Sequence, residues 1–68
     1  MDAQTTIKIL LLKEAMTITE LARRMSEYPG KKLSRSGLSN KLSRNTLRFD
    51  ELTMICEILN YDLVFNKK

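Results

Sequence analysis

Histidine is absent from this chain of 68 residues, tryptophan is absent too, and cysteine occurs once. Without an imidazole there is no Ser-His or Cys-His nucleophile pair and no histidine general base. The lone Cys56 has no partner for an internal disulfide, and nothing completes a tetrahedral zinc site around it. These absences argue against an enzyme, a metal centre, a cofactor or a small-molecule ligand. Long apolar runs are also missing. The run at 7–12 is broken by Lys8, is too short to span a bilayer and lacks the flanks of a cleavable signal. An unpaired thiol and no membrane segment predict a cytoplasmic protein.

Charge is present in moderation but unevenly placed. From residue 23 to 48 there are eight basic residues, Arg23, Arg24, Lys31, Lys32, Arg35, Lys41, Arg44 and Arg48, and one acid, Glu27, a balance of +7. The remainder carries four basic and seven acidic residues, a balance of −3. A basic middle between acidic ends is the footprint of a polyanionic partner. A solvated basic loop would have the same composition.

A chain of this length forms one domain, here 1–68, near the lower limit for folding without staples. Apolar periodicity predicts four helices. The first covers about 3–14 and buries Ile7, Leu10, Leu11 and Met16; Ile9 and Leu12 widen its stripe beyond what a small core needs. Thr17-Ile18-Thr19-Glu20 reads as a capping box, with Thr17 accepting from the Glu20 amide and the Glu20 carboxylate reaching back. Ile18, Leu21, Ala22 and Met25 then line one face of a second helix running to about Ser26. Pro29-Gly30 stops it. Leu33 is an isolated anchor, and Ser34 is a suitable N-cap for a third helix at 34–43.

That third helix has only Leu38 and Leu42 as apolar residues, so packing alone gives it little reason to exist. Gly37 costs it roughly 1 kcal/mol relative to alanine, explained by a close approach or by simple tolerance. Leu47 docks after a short loop. A fourth helix is predicted at about 49–59, with Phe49, Leu52, Ile55, Cys56 and Leu59 in one stripe. Asp50 and Glu51 complement its dipole, and Asn60 provides a left-handed stop. Tyr61, Leu63 and Phe65 alternate as in a strand and would share a face. The expected fold is therefore all-α: four helices with a helix-turn-helix at 17–43, an extended turn, and a short β-strand-like C-terminal tail.

Two stretches carry a family resemblance. They are Thr17-Ile18-Thr19-Glu20-Leu21-Ala22-Arg23-Arg24-Met25 and Leu33-Ser34-Arg35-Ser36-Gly37-Leu38-Ser39-Asn40-Lys41-Leu42. Together with Thr46-Leu47-Arg48-Phe49-Asp50-Glu51-Leu52 and Ile58-Leu59-Asn60-Tyr61, they resemble the Cro and lambda-repressor (XRE-like) helix-turn-helix proteins of bacteria and phages. The resemblance covers roughly residues 5–61. The chain departs from it in three places. Ser26 stands where a turn glycine is usual, with about six residues, 27–32, inserted after it. Ile18 replaces a common glutamine, and the tail replaces a fifth helix.

The resemblance implies a sequence-specific transcriptional regulator, such as a repressor, associated with the nucleoid. It binds double-stranded DNA as a homodimer and lays helix 34–43 in the major groove. By position Arg35, Ser36, Ser39 and Asn40 become the base readers. Arg donates bidentately to guanine and Asn pairs with adenine. Lys31, Lys32, Lys41, Arg44 and Arg48, with Thr17 and Thr19 at the start of helix 2, become phosphate contacts. The second copy would join through Val64 and the tail, through Ile9 and Leu12, or through both. The competing reading is a protein-interaction or oligomerisation module of the same shape that does not read DNA. RNA is less suited, because Tyr28 is the only aromatic in the basic segment before Phe49.

Overall fold

Thr17 and Ser34 each start a helix in the same way. Both sit in extended backbone, and their hydroxyls accept from the N–H three residues on, Glu20 at 3.1 Å and Gly37 at 3.0 Å. The computed structural model describes residues 3–67 and contains α1 (Ala3–Lys13), α2 (Ile18–Met25), α3 (Arg35–Ser43) and α4 (Phe49–Leu59). Of the span 1–68 read as one domain, residues 1, 2 and 68 lie outside the described residues. The Glu20 half of the expected capping box is not used as foreseen. Its carboxylate is turned instead to Arg23 and Arg24, at 2.6 and 2.8 Å.

Three helices stop by one device. After α1, α3 and α4 a residue adopts positive φ, Ala15 (53°), Asn45 (55°) and Asn60 (67°). The following N–H bonds back five residues, Met16 to Leu11, Thr46 to Lys41 and Tyr61 to Cys56, at 2.8–2.9 Å. This is the Schellman closure, which satisfies carbonyls left open at a helix end. Two of the three positions hold asparagine, which tolerates this backbone. Ala15 does not have that tolerance.

The link between α2 and α3 is built differently. The Lys31 N–H bonds to the Tyr28 carbonyl at 3.1 Å, with Pro29 and a positive-φ Gly30 (77°) between them. Proline then glycine at the two central positions is the pattern of a type II turn. The inserted residues thus fold back on themselves. Leu33 then returns to Ser26, whose hydroxyl accepts from the Leu33 N–H at 3.0 Å and lies 2.9 Å from both the Leu33 and Ala22 carbonyls.

The core is one cluster drawn from every helix: Ile7 and Leu11, Leu21, Ala22 and Met25, Leu38 and Leu42, and Met54, Ile55 and Leu59. Helix α2 packs against both α3 and α4, and α1 meets α3. Small Ala22, 2% exposed, lets its neighbours approach. Leu33, Leu47, Tyr28 and Tyr61 pack on the edge of this cluster. No helix among the described residues is long and apolar enough to cross a membrane.

Two further expectations fail, both involving the tail. Residues 61–67 form no strand, and there is no β-strand among the described residues. A strand needs a second backbone to bond with, and the all-helical body offers none. The alternation is not expressed in burial either. Tyr61 is half-buried, donating its hydroxyl to Glu14 at 3.0 Å, while Leu63, Val64 and Phe65 are exposed. Phe49 is the second correction. It is exposed rather than part of the α4 stripe, and its ring stacks on Phe65 with centroids 6.3 Å apart. Helical geometry explains the swap. Phe49 lies about 120° around the axis from Ile55, whereas Glu51 lies only about 40° away. Glu51 is accordingly buried, at 5% exposure.

Candidate nucleic-acid interface

Helix α3 is held by two side chains. Leu38 and Leu42 are fully buried, one turn apart, and the rest of the helix is polar. Arg35, Ser36 and Asn40 are exposed, and Ser39 is half-buried. Their positions at 100° per residue place the four within an arc of about 140°, with Arg35 and Asn40 at its edges and Ser36 and Ser39 between. Gly37 sits away from this arc. A Cβ there would lie 3.2 Å from Leu33 and 3.3 Å from the Ser34 hydroxyl. The glycine therefore accommodates the lead-in to α3 and its cap.

The cations around α3 divide into two groups. Lys32, Arg35 and Arg44 are exposed and form no ion pair with any described residue. The others are engaged. Lys31 reaches the Asp50 carboxylate at 3.0 Å, and Arg48 approaches the other Asp50 oxygen at 3.7 Å. Lys41, half-buried, holds Glu51 at 3.0 Å. Thr17 is occupied as the α2 cap, and Thr19 is exposed on the first turn. Arg23 and Arg24 are tied along α2 to Glu20, and Arg23 also to Glu27 at 3.3 Å.

The carboxylates respond to these neighbours. Hydrogen bonds from Arg23 and then Arg24 lower the Glu20 carboxyl to about 2. Lys31, with Arg48 beyond it, holds Asp50 below the usual carboxylate range. Burial alone would raise Glu51. The Arg48 backbone N–H, bonded at 2.9 Å, and the Lys41 ammonium outweigh that, and its carboxyl also ends low. Glu51 is thus a charged group buried with two donors, one fixing the start of α4 and one fixing α3 against it.

The seven proposed phosphate contacts are therefore unequal. Sequence reasoning treated Asp50 and Glu51 as complements to a helix dipole and missed that they bind three of those seven. The available signal was Glu51 itself, three residues after Arg48, where a carboxylate accepts the N-cap amide. Lys31 and Asp50 are nineteen residues apart, and no local pattern joins them. Among the described residues no group of three or more Cys, Asp or Glu side chains is placed to hold a metal ion.

Comparison with family models, curated proteins and solved structures gives no match.

Proposed function

We propose that this protein binds double-stranded DNA and reads sequence with α3 in the major groove, as a small transcriptional regulator. The observation that carries the reading is the outward face of α3. A helix anchored by only Leu38 and Leu42 presents Arg35, Ser36, Ser39 and Asn40, flanked by the unengaged cations Lys32 and Arg44. Hydrogen-bonding groups on a short exposed helix, bordered by positive charge, meet the needs of base edges between two phosphate strands.

One such helix reads few base pairs, so we propose that two copies bind together, with half-sites about 34 Å apart or a multiple of that. The exposed apolar residues supply two surfaces for pairing. One is Phe49, Val64 and Phe65 around the tail, and the other is Leu12, 81% exposed, with Ile9 on α1.

The test is fluorescence anisotropy with a labelled duplex across a salt series. The logarithm of the binding constant should fall linearly with the logarithm of salt, with a slope near −0.9 for each phosphate neutralised. Salt-independent binding, or none by the folded protein at low salt, would overturn the reading. The same apolar surfaces favour a second reading, a protein-interaction module. A stable protein complex that excess duplex leaves intact would support that instead.

A further inference from the structure

Asp50 stands between two cations that DNA binding would use. One of its carboxylate oxygens is 3.0 Å from Lys31 at the end of the inserted loop, and the other is 3.7 Å from Arg48 at the start of α4. All three side chains are accessible to solvent, Lys31 least so. Two cations converging from separate segments on one oxyanion form the kind of site a phosphate oxyanion occupies. Here the oxyanion belongs to the protein.

We propose that Asp50 is an internal competitor for the DNA backbone, holding Lys31 and Arg48 so that in part of the bound population they neutralise no phosphate. The inference rests on the DNA-binding reading and adds a residue that sets affinity without touching a base. Exposed ion pairs exchange partners at little cost. Glu51 cannot do the same for Lys41, because its carboxylate is buried and also holds the Arg48 amide. The competition should therefore weaken binding to all duplexes alike and flatten its salt dependence. Base discrimination, which belongs to α3, should not change.

The experiment compares the full chain with Asp50→Asn and with Asp62→Asn, which removes the same charge from an exposed position that forms no ion pair with any described residue. Affinity for one duplex is measured by anisotropy over a salt series, and circular dichroism checks that each protein is folded. Each released cation should steepen the salt slope by about 0.9, equivalent to roughly eightfold tighter binding at 0.1 M salt. Asp62→Asn should show only a small general gain. The Asp50→Asn gain should shrink in a Lys31→Ala background. Wild-type binding with Asp50→Asn equal to Asp62→Asn, or weaker than wild type, overturns this inference alone and makes the Lys31–Asp50 contact a structural tie. No duplex binding by any of the folded proteins overturns the DNA-binding reading itself.

Discussion

Ser26 and Leu33 are seven residues apart and joined through a single hydroxyl, which accepts from the Leu33 N–H at 3.0 Å and lies 2.9 Å from the Leu33 carbonyl. This contact closes the loop 27–32 at its neck, so the insertion is accommodated while α2 and α3 keep their packing. Ser26→Ala removes both bonds from a partly buried position and leaves backbone groups without that partner. A loss of about 1–2 kcal/mol is expected, read by urea unfolding. An unchanged midpoint would mean the loop is held by Leu33 packing alone.

Ala15 carries a φ of 53° at the end of α1, in the region that costs a residue with a Cβ roughly 1 kcal/mol. Ala15→Gly should therefore raise stability by about 0.5–1 kcal/mol, despite the extra freedom of glycine in the unfolded chain. Asn45→Ala, at the same place after α3, should lower it. Thermal unfolding of the two variants checks the pair of opposite signs.

Lys41 and Glu51 tie α3 to α4 at 3.0 Å across a partly buried boundary. Lys41→Met leaves the Glu51 carboxylate with the Arg48 amide but no ion-pair partner in contact. A loss of about 1–3 kcal/mol follows from stranding part of a buried charge. Glu51→Gln, which keeps the amide contact and removes the charge, should cost less. Equal losses in chemical denaturation would contradict the electrostatic account.

Acid should weaken the fold in a defined window. Glu20, Asp50 and Glu51 all titrate below their usual values when folded, Glu20 at about 2. Each then binds protons more readily unfolded than folded. Its stabilisation is complete above the unfolded value and disappears as pH falls through the folded one. Melting temperature should drop between about pH 5 and 2, the upper edge set by unfolded carboxylates. The Glu20→Gln variant should show a shallower acid limb. A parallel limb would remove Glu20 from the explanation.

Arg35 and Lys32 should behave differently on DNA. Arg35→Ala should cost about 1–3 kcal/mol on a preferred site and relax discrimination at one base pair, whereas Lys32→Ala or Arg44→Ala should weaken every duplex alike and reduce the salt slope by about one. Selection from a random duplex library followed by anisotropy separates the two patterns. If Arg35→Ala matches the other two, Arg35 is a phosphate contact and the reading face is narrower, formed by Ser36, Ser39 and Asn40.

Local signals determined most of the fold. The hydroxyls of Thr17 and Ser34, the apolar spacing of α2 and of α4 apart from Phe49, and the left-handed Asn60 are decided within one or two turns of chain, so they could be read from residue order alone. The candidate reading face was legible for the same reason, since two leucines four residues apart settle which side of α3 is buried. Contacts between distant residues were not legible. Sequence order could not say that Lys31 would meet Asp50, that Ser26 would close the inserted loop, or that Phe49 would turn out to face Phe65. Those depend on how the helices pack, because packing decides which cations, beyond the local pairs of Arg23 and Arg24 with Glu20 and of Arg48 with Asp50, find a carboxylate in a distant segment. The tail shows the limit most clearly. Its alternating residues satisfy the pattern of a strand, but a strand exists only where a second backbone lies alongside.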